Sequence, residues 1–464
     1  MTARLLIAAL CPVLFSCSLW MELDKSKLDY SDTHIDDVTL DGESDTHVDI
    51  PTDIIRDGPC PDAPDCDDHD DCNDGDPCTM DTCDMECGAC VYTHVDGAAV
   101  SLDEDLPLAG IEVTTHSPTR IVWTGSEYGV VWGYAPGSSA GNGEIFFTTV
   151  SEDGVDVVKP AVRLTNNDEN DRNPRLAWTG SQWGVAWSYQ DSTTEEIHFV
   201  RVNPDSLTHG APAPLVDSLN TLGTVDLVWS GDRFGLAWNA YTGVHHAIFF
   251  QIVDADGAPV GTPAEVSAHE NHNGFPSLAW SGTEFGLAWQ DERDDLDPMS
   301  SPQITDIYFR RVDTDGVVAG ASVRITNATV QCQMPSLAWS GTEYGVAYQK
   351  QQEAMTPDIS FRRISGTGSP AGLEIDLTIS ETTFNDYPDL TFTGSELGLV
   401  YNSNTELSLI RLYSDGTRVQ EDIWINDLVN PAQLAPAIVW NGERYAIAWQ
   451  GPAGEFFNLV EVCE

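Results

Sequence analysis

One motif constrains this chain more than any other feature. It reads Trp-Ser/Thr-Gly, then an aromatic, then Gly-Val/Leu-Ala-Trp/Tyr, and it recurs seven times along 464 residues, with departures such as Phe392 and Leu397 in the sixth copy and Asn441 and Ala446 in the seventh. The first members are Trp123, Trp178, Trp229, Trp280, Trp339, Phe392 and Trp440, and the second are Trp132, Trp187, Trp238, Trp289, Tyr348, Tyr401 and Trp449. Nine residues separate the two members in every copy, whereas the copies start 48 to 59 residues apart. A constant core between joins of variable length is a fixed structural unit whose loops are free to change.

Each unit reads as four short strands. In the fourth copy Ser277–Trp280 is strand A, Phe285–Gln290 strand B, Ile307–Val312 strand C and Ala321–Thr326 strand D. The glycine of each Trp-x-Gly suits a turn position with positive φ. The Asp-Gly pairs at 153–154, 256–257, 315–316 and 415–416 suit the hairpin turn between C and D. Four-stranded sheets repeated radially make an all-β, seven-bladed β-propeller, with a linear solenoid as the competing arrangement. The chain ends favour a ring. The seventh copy stops after strand C, and Leu108–Thr115 resembles the D segment Val318–Thr326. The N-terminal strand is therefore expected to complete the last blade near Val462 and leave no free sheet edge. The fourteen repeat aromatics are expected to pack the blades rather than form a sugar platform.

Both the Gly-His and Trp-Asp pairs of WD repeats and the Ser-x-Asp-x-Gly-x-Thr-Trp box of sialidases are absent. The repeat instead resembles those of uncharacterised extracellular bacterial propellers, a likeness that implies a fold and no activity.

Ahead of the propeller, expected over 97–464, three segments differ in composition. Arg4 followed by the apolar stretch Leu5–Phe15 has the length of an export signal. It runs into Leu14-Phe15-Ser16-Cys17, which resembles a bacterial lipobox over residues 1–17. The resemblance implies lipidation at Cys17 and, with Ser18 next, anchorage in an outer membrane at the cell surface or its periplasmic face. A plain cleaved signal is the other reading. Residues 18–59 are dense in Asp and Glu, opposed only by Lys25, Lys27 and Arg56, and read as an extended tether.

Residues 60–96 carry Cys60, Cys66, Cys72, Cys78, Cys83, Cys87 and Cys90 with almost no large apolar side chains. A segment that cannot build a core has to be cross-linked, by disulfides in an oxidising compartment or by zinc. The absence of a paired C-x2-C frame favours disulfides. The run Cys72-Asn73-Asp74-Gly75-Asp76-Pro77-Cys78 through Cys83, closing at Cys90-Val91-Tyr92, resembles the Cys-rich extracellular repeat of slime moulds and myxobacteria. That likeness implies a small spacer or adhesion module. Asp70, Asp74 and Asp76 are spaced like calcium ligands, although Cys72 interrupts the loop and turn-forming Asp and Asn account for the same pattern. Calcium is the cofactor this segment suggests. Counting the seven with Cys332 and Cys463 gives an odd total, so Cys463 is expected to clip the module to the propeller and Cys332 to remain unpaired.

Against 74 Asp and Glu stand 21 Lys and Arg, a net charge of −53. Such a polyanion repels phosphate backbones, which excludes nucleic acid as a partner. Antiparallel order places the short A–B and C–D turns on one propeller face and the longer B–C and D–A loops on the other. Binding residues are expected among those loops: Asp168, Asp171, Arg172, His269, His272, Asp291, Arg293, Asp386 and Tyr387. His245 and His246 beside His269 and His272 form a possible imidazole cluster for a transition metal. Asp226 and Asp389 stand three residues before the strand A aromatic, near the axial channel, where Arg120 and Arg175 hold the equivalent positions. No Ser/His/Asp or Cys/His frame and no phosphate-cradling Gly loop occurs. The sequence points to a lipoprotein, attached to the membrane by its lipid alone, whose propeller is a non-catalytic scaffold for a protein or glycan. A propeller glycoside hydrolase or polysaccharide lyase using such carboxylates is the alternative.

Overall fold

The computed structural model describes residues 79–84, 89–94, 99–101, 105–109, 116–134, 142–267, 272–295, 304–326, 329–351, 356–380, 382–404, 406–425, 435–451 and 454–462. All of these belong to the unit spanning Cys60–Glu464. Every described element is a strand. Cys17, the tether, Cys60, Cys66, Cys72, Cys78, Cys87, Cys463, His269 and the calcium candidates Asp70, Asp74 and Asp76 lie outside the described residues. Within the cysteine module, Thr79–Asp84 pairs antiparallel with Ala89–His94, and Cys83 and Cys90 are register partners.

The propeller has seven antiparallel blades of four-strand pattern. In the fourth, Asn273–Trp280, Phe285–Asp291, Asp306–Val312 and Val318–Arg324 follow one another outward. Blades two and three are fused into one seven-stranded sheet, because Ala213–Trp229 is a single long strand. It pairs with Glu195–Val202 of blade two up to Leu219 and with Arg233–Tyr241 of blade three from Asn220.

The motif explains itself at each position. In the A–B turn of blade four the Ser281 N–H donates to the Glu284 carbonyl at 3.0 Å. The Ser281 hydroxyl donates to that carbonyl at 2.8 Å and accepts the Glu284 N–H at 3.0 Å. A hydroxyl at the second motif position thus closes the turn. Gly282 in that turn has φ +93°, and the matching glycine has positive φ in all seven copies. The first-member Trp280 is half-buried over the Phe285 ring at 4.7 Å, and Trp123, Trp178, Trp229, Trp339 and Trp440 repeat the pairing at 4.5 to 4.7 Å. The second members are buried. The glycine of Gly-Val/Leu-Ala sits where the next blade's aromatic arrives. A Cβ on Gly286 would stand 2.4 Å from the Tyr344 ring, and one on Gly398 2.3 Å from Tyr445.

Ring closure is present, with a register that differs from the expectation. Val462 and Val460 pair with Ala99 and Ser101, and Phe457, Phe456 and Glu455 pair with Leu106, Pro107 and Ala109. The described closing strands are Ala99–Ser101 and Leu106–Ala109, so of the expected Leu108–Thr115 only Leu108 and Ala109 are seen to pair with the last blade, and 110–115 lie outside the described residues. Their register is set by burial. Leu108 occupies the place of Ile325, Leu377 and Val266, each a buried apolar residue where an outer strand finishes. Blade seven then packs on blade one: Tyr128, Trp132, Ala446, Ala448 and Phe457 share one apolar cluster. The Asn441 amide donates to the Tyr128 hydroxyl at 2.7 Å across this junction.

Candidate functional site: the axial mouth

Each inner strand runs from the face of the B–C and D–A loops toward the A–B turns, so its first half surrounds the axis on the loop face. There a cavity of about 320 Å³ is lined by residues of all seven blades. Three residues before each first motif member, the seven inner strands present Arg120, Arg175, Asp226, Ser277, Ser336, Asp389 and Ala437.

Most of this ring is a brace between blades. Asp226 accepts Arg175 Nε at 3.1 Å on one oxygen and the Leu278 N–H at 2.7 Å on the other. Ser277 accepts the Leu337 N–H at 3.0 Å, and Ser336 accepts the Leu390 N–H at 3.0 Å. Asp389 accepts the Ser336 hydroxyl at 3.2 Å and the Ile438 N–H at 3.0 Å. Burial pushes the Asp389 carboxyl above the ordinary carboxylate range, and Arg120, Ile438, Ser336 and Arg175 oppose that shift. Burial also brings the Arg175 guanidinium down to about 10, with the like charge of Arg120 adding to it. Arg120 donates to the Thr119 carbonyl at 2.7 Å and makes no ion pair among the described residues.

Two residues nearer the opening, the backbone turns sharply before a proline. Asn173, Phe275, Met334 and Tyr387 have φ of 54°, 51°, 50° and 52°, a left-handed conformation that non-glycine residues seldom hold. The strand register shifts at Gly274/Ser277, Gln333/Ser336 and Asp386/Asp389, so the strain belongs to a β-bulge in the inner strand. Phe275, Met334 and Tyr387 line the cavity. The sequence offered Tyr387 but missed Phe275 and Met334. The signal was a bulky residue followed by proline at one fixed offset from the motif.

The remaining expected site residues divide. Asp171 is buried and serves the core, accepting Trp187 Nε1 at 2.5 Å and Asn167 Nδ2 at 2.9 Å. Asp291 is likewise buried, accepting Trp289 Nε1 at 2.9 Å and Arg293 Nε at 2.9 Å. Arg293 also donates to Ser267 O and Ser322 Oγ, both at 3.0 Å, and lies 4.1 Å over the Tyr308 ring. These three anchor loops: a charged side chain in a polar segment is here a hydrogen-bond partner for the blade. Asp168 is exposed, and Arg172 is half-buried beside the second blade's bulge. Asp386 is half-buried, pushed by burial up to about 6, and is not among the side chains lining the cavity. The His246 and His272 rings lie 4.9 Å apart, and burial, then His272 and His245, hold His246 below its ordinary value. Among the described residues no group of three or more His, Cys, Asp or Glu is arranged to hold a metal ion.

No protein-family model matches the chain, and no curated protein matches it. Solved structures do. A protein of unknown function from Dyadobacter fermentans is 10% identical with a TM-score of 0.49, covering 78% of this chain and 99% of its own. The Pseudomonas aeruginosa periplasmic gluconolactonase is 16% identical at 0.46, over 73% and 97%. The Penicillium chrysogenum alpha-L-arabinanase is 13% identical at 0.45, over 63% and 93%. Likeness at this level is no guide to activity.

Proposed function

We propose that the chain is an envelope lipoprotein, anchored through Cys17, whose propeller is a non-catalytic binding module with its ligand seated at the axial mouth. The observation that carries this reading is the bonding of the ring. Asp226 and Asp389, the carboxylates best placed for acid–base chemistry, each use both oxygens to hold adjoining inner strands, including the next blade's backbone N–H. A general acid or base needs an oxygen within reach of the proton it moves. Asp386, whose carboxyl burial pushes up to about 6, does not line the cavity. The cavity volume sits at the lower end of the ~300–1,000 Å³ typical of small-ligand pockets.

A glycan and envelope-protein array probed with the full chain tests this. Binding without chain cleavage, lost when the mouth is filled by Met334→Trp, is the expected result. Release of reducing ends or unsaturated sugars that disappears in Asp389→Asn would instead establish the hydrolase or lyase reading. Incorporation of a fatty-acid label, abolished by Cys17→Ala, checks the anchor.

A further inference from the structure

The cavity is polarised across the axis. Blades one and two contribute Arg120 and Arg175, whereas Phe275, Met334 and Tyr387 come from blades four, five and six; the lining carboxylates Asp226 and Asp389, of blades three and six, are taken up in the braces described above. In a ring of seven the second group is centred opposite the first. We propose that the axial mouth selects a small organic carboxylate with an aromatic or branched apolar body, its carboxylate on Arg120 and its body against Phe275, Met334 and Tyr387; this rests on the axial-mouth reading above.

Three observations converge on it. Arg120 lacks a carboxylate partner among the described residues, in a chain where acids outnumber bases by 74 to 21. Its neighbour Arg175 is already engaged by Asp226, and Asp389, the carboxylate whose charge Arg120 feels, accepts the Ser336 hydroxyl and the Ile438 N–H instead, so the Arg120 guanidinium is the one on this ring without a carboxylate in hydrogen-bond contact among the described residues. A planar guanidinium offers a carboxylate two parallel donors, which an amide or hydroxyl cannot match in charge. Opposite, Phe275 remains 37% exposed although a strained backbone holds it at the opening. Three apolar side chains presented at one rim by the same strained turn form a surface that an apolar body would cover.

The test is a ligand-observed NMR titration of the full chain with phenylacetate, phenylacetamide and acetate. Saturable binding of phenylacetate is expected, with the amide and acetate at least tenfold weaker. Arg120→Gln is expected to weaken phenylacetate at least tenfold while the chain still melts cooperatively, since no hydrogen bond of Arg120 crosses between blades. Met334→Trp is expected to abolish binding. Equal affinity for acid and amide, or an unchanged affinity in Arg120→Gln, overturns the proposal. If phenylacetate does not bind while an array ligand is lost in Met334→Trp, the carboxylate class falls and the axial site stands. Binding of phenylacetate that survives Met334→Trp removes both.

Discussion

Glu455 shows how far burial can move one side chain in this molecule. It lies at the junction of blades seven and one, accepting the Thr119 hydroxyl at 2.6 Å and the Gln450 amide at 2.7 Å. Burial pushes its carboxyl from the ordinary 4.5 up to about 8, against those two hydrogen bonds. Between these values the folded state keeps a proton that the unfolded chain releases, so this group's contribution is most favourable below 4.5 and worsens as pH rises toward 8. Glu455→Gln removes the titration. Chemical denaturation at pH 5 and pH 8 should show the wild type losing on the order of 3 kcal/mol more than the variant over that interval. Parallel losses in the two proteins would mean that Glu455 is ionised in the fold. The same principle explains what was hard to read in the sequence. Asp171 and Asp291 look like surface acids in polar loops, and only their indole partners Trp187 and Trp289 reveal them as core groups.

Among elements, the blade was legible because each of its turns demands a particular residue. Gly282 and Gly316 take φ of +93° and +82°, and the expected strands of blade four lie within a few residues of the observed ones. The closing strand was misjudged because Leu108-Ala109-Gly110 imitates Val318-Ala319-Gly320 in letters, while burial aligns Leu108 with Ile325. The axial mouth was only half legible: the ring positions follow from their spacing to the motif, but the bulge that aims Phe275 and Met334 depends on backbone register. Closure makes a measurable claim about Ala99–Ala109. A chain beginning at Gly97 should melt within about 2 °C of the full protein, whereas one beginning at Gly110 should melt on the order of 5 °C or more lower, because blade seven then has an open edge. Equal melting of the two truncations, followed by calorimetry, would show that this strand does not hold the ring.

For the whole molecule, the net charge of −53 sets the conditions under which an anion reaches Arg120. Long-range repulsion acts over ~30 Å at 10 mM salt but ~8 Å at 0.15 M, whereas contact with a partly buried guanidinium is screened far less. Phenylacetate affinity is therefore expected to rise, on the order of threefold, between 10 and 150 mM sodium chloride. A fall with salt, seen in the same titration, would show that local attraction governs the approach. The fused strand Ala213–Trp229 has a different consequence at this scale. Other neighbouring blades are separate sheets tied by side chains and isolated backbone bonds such as Asp171 N–H to the Gly143 carbonyl, while blades two and three share one continuous ladder of amide protons. Exchange with deuterium should open that pair as a single cooperative block. A circular permutant cut within it would sever a hydrogen-bonded backbone, where a cut elsewhere in the ring would sever only a connecting loop.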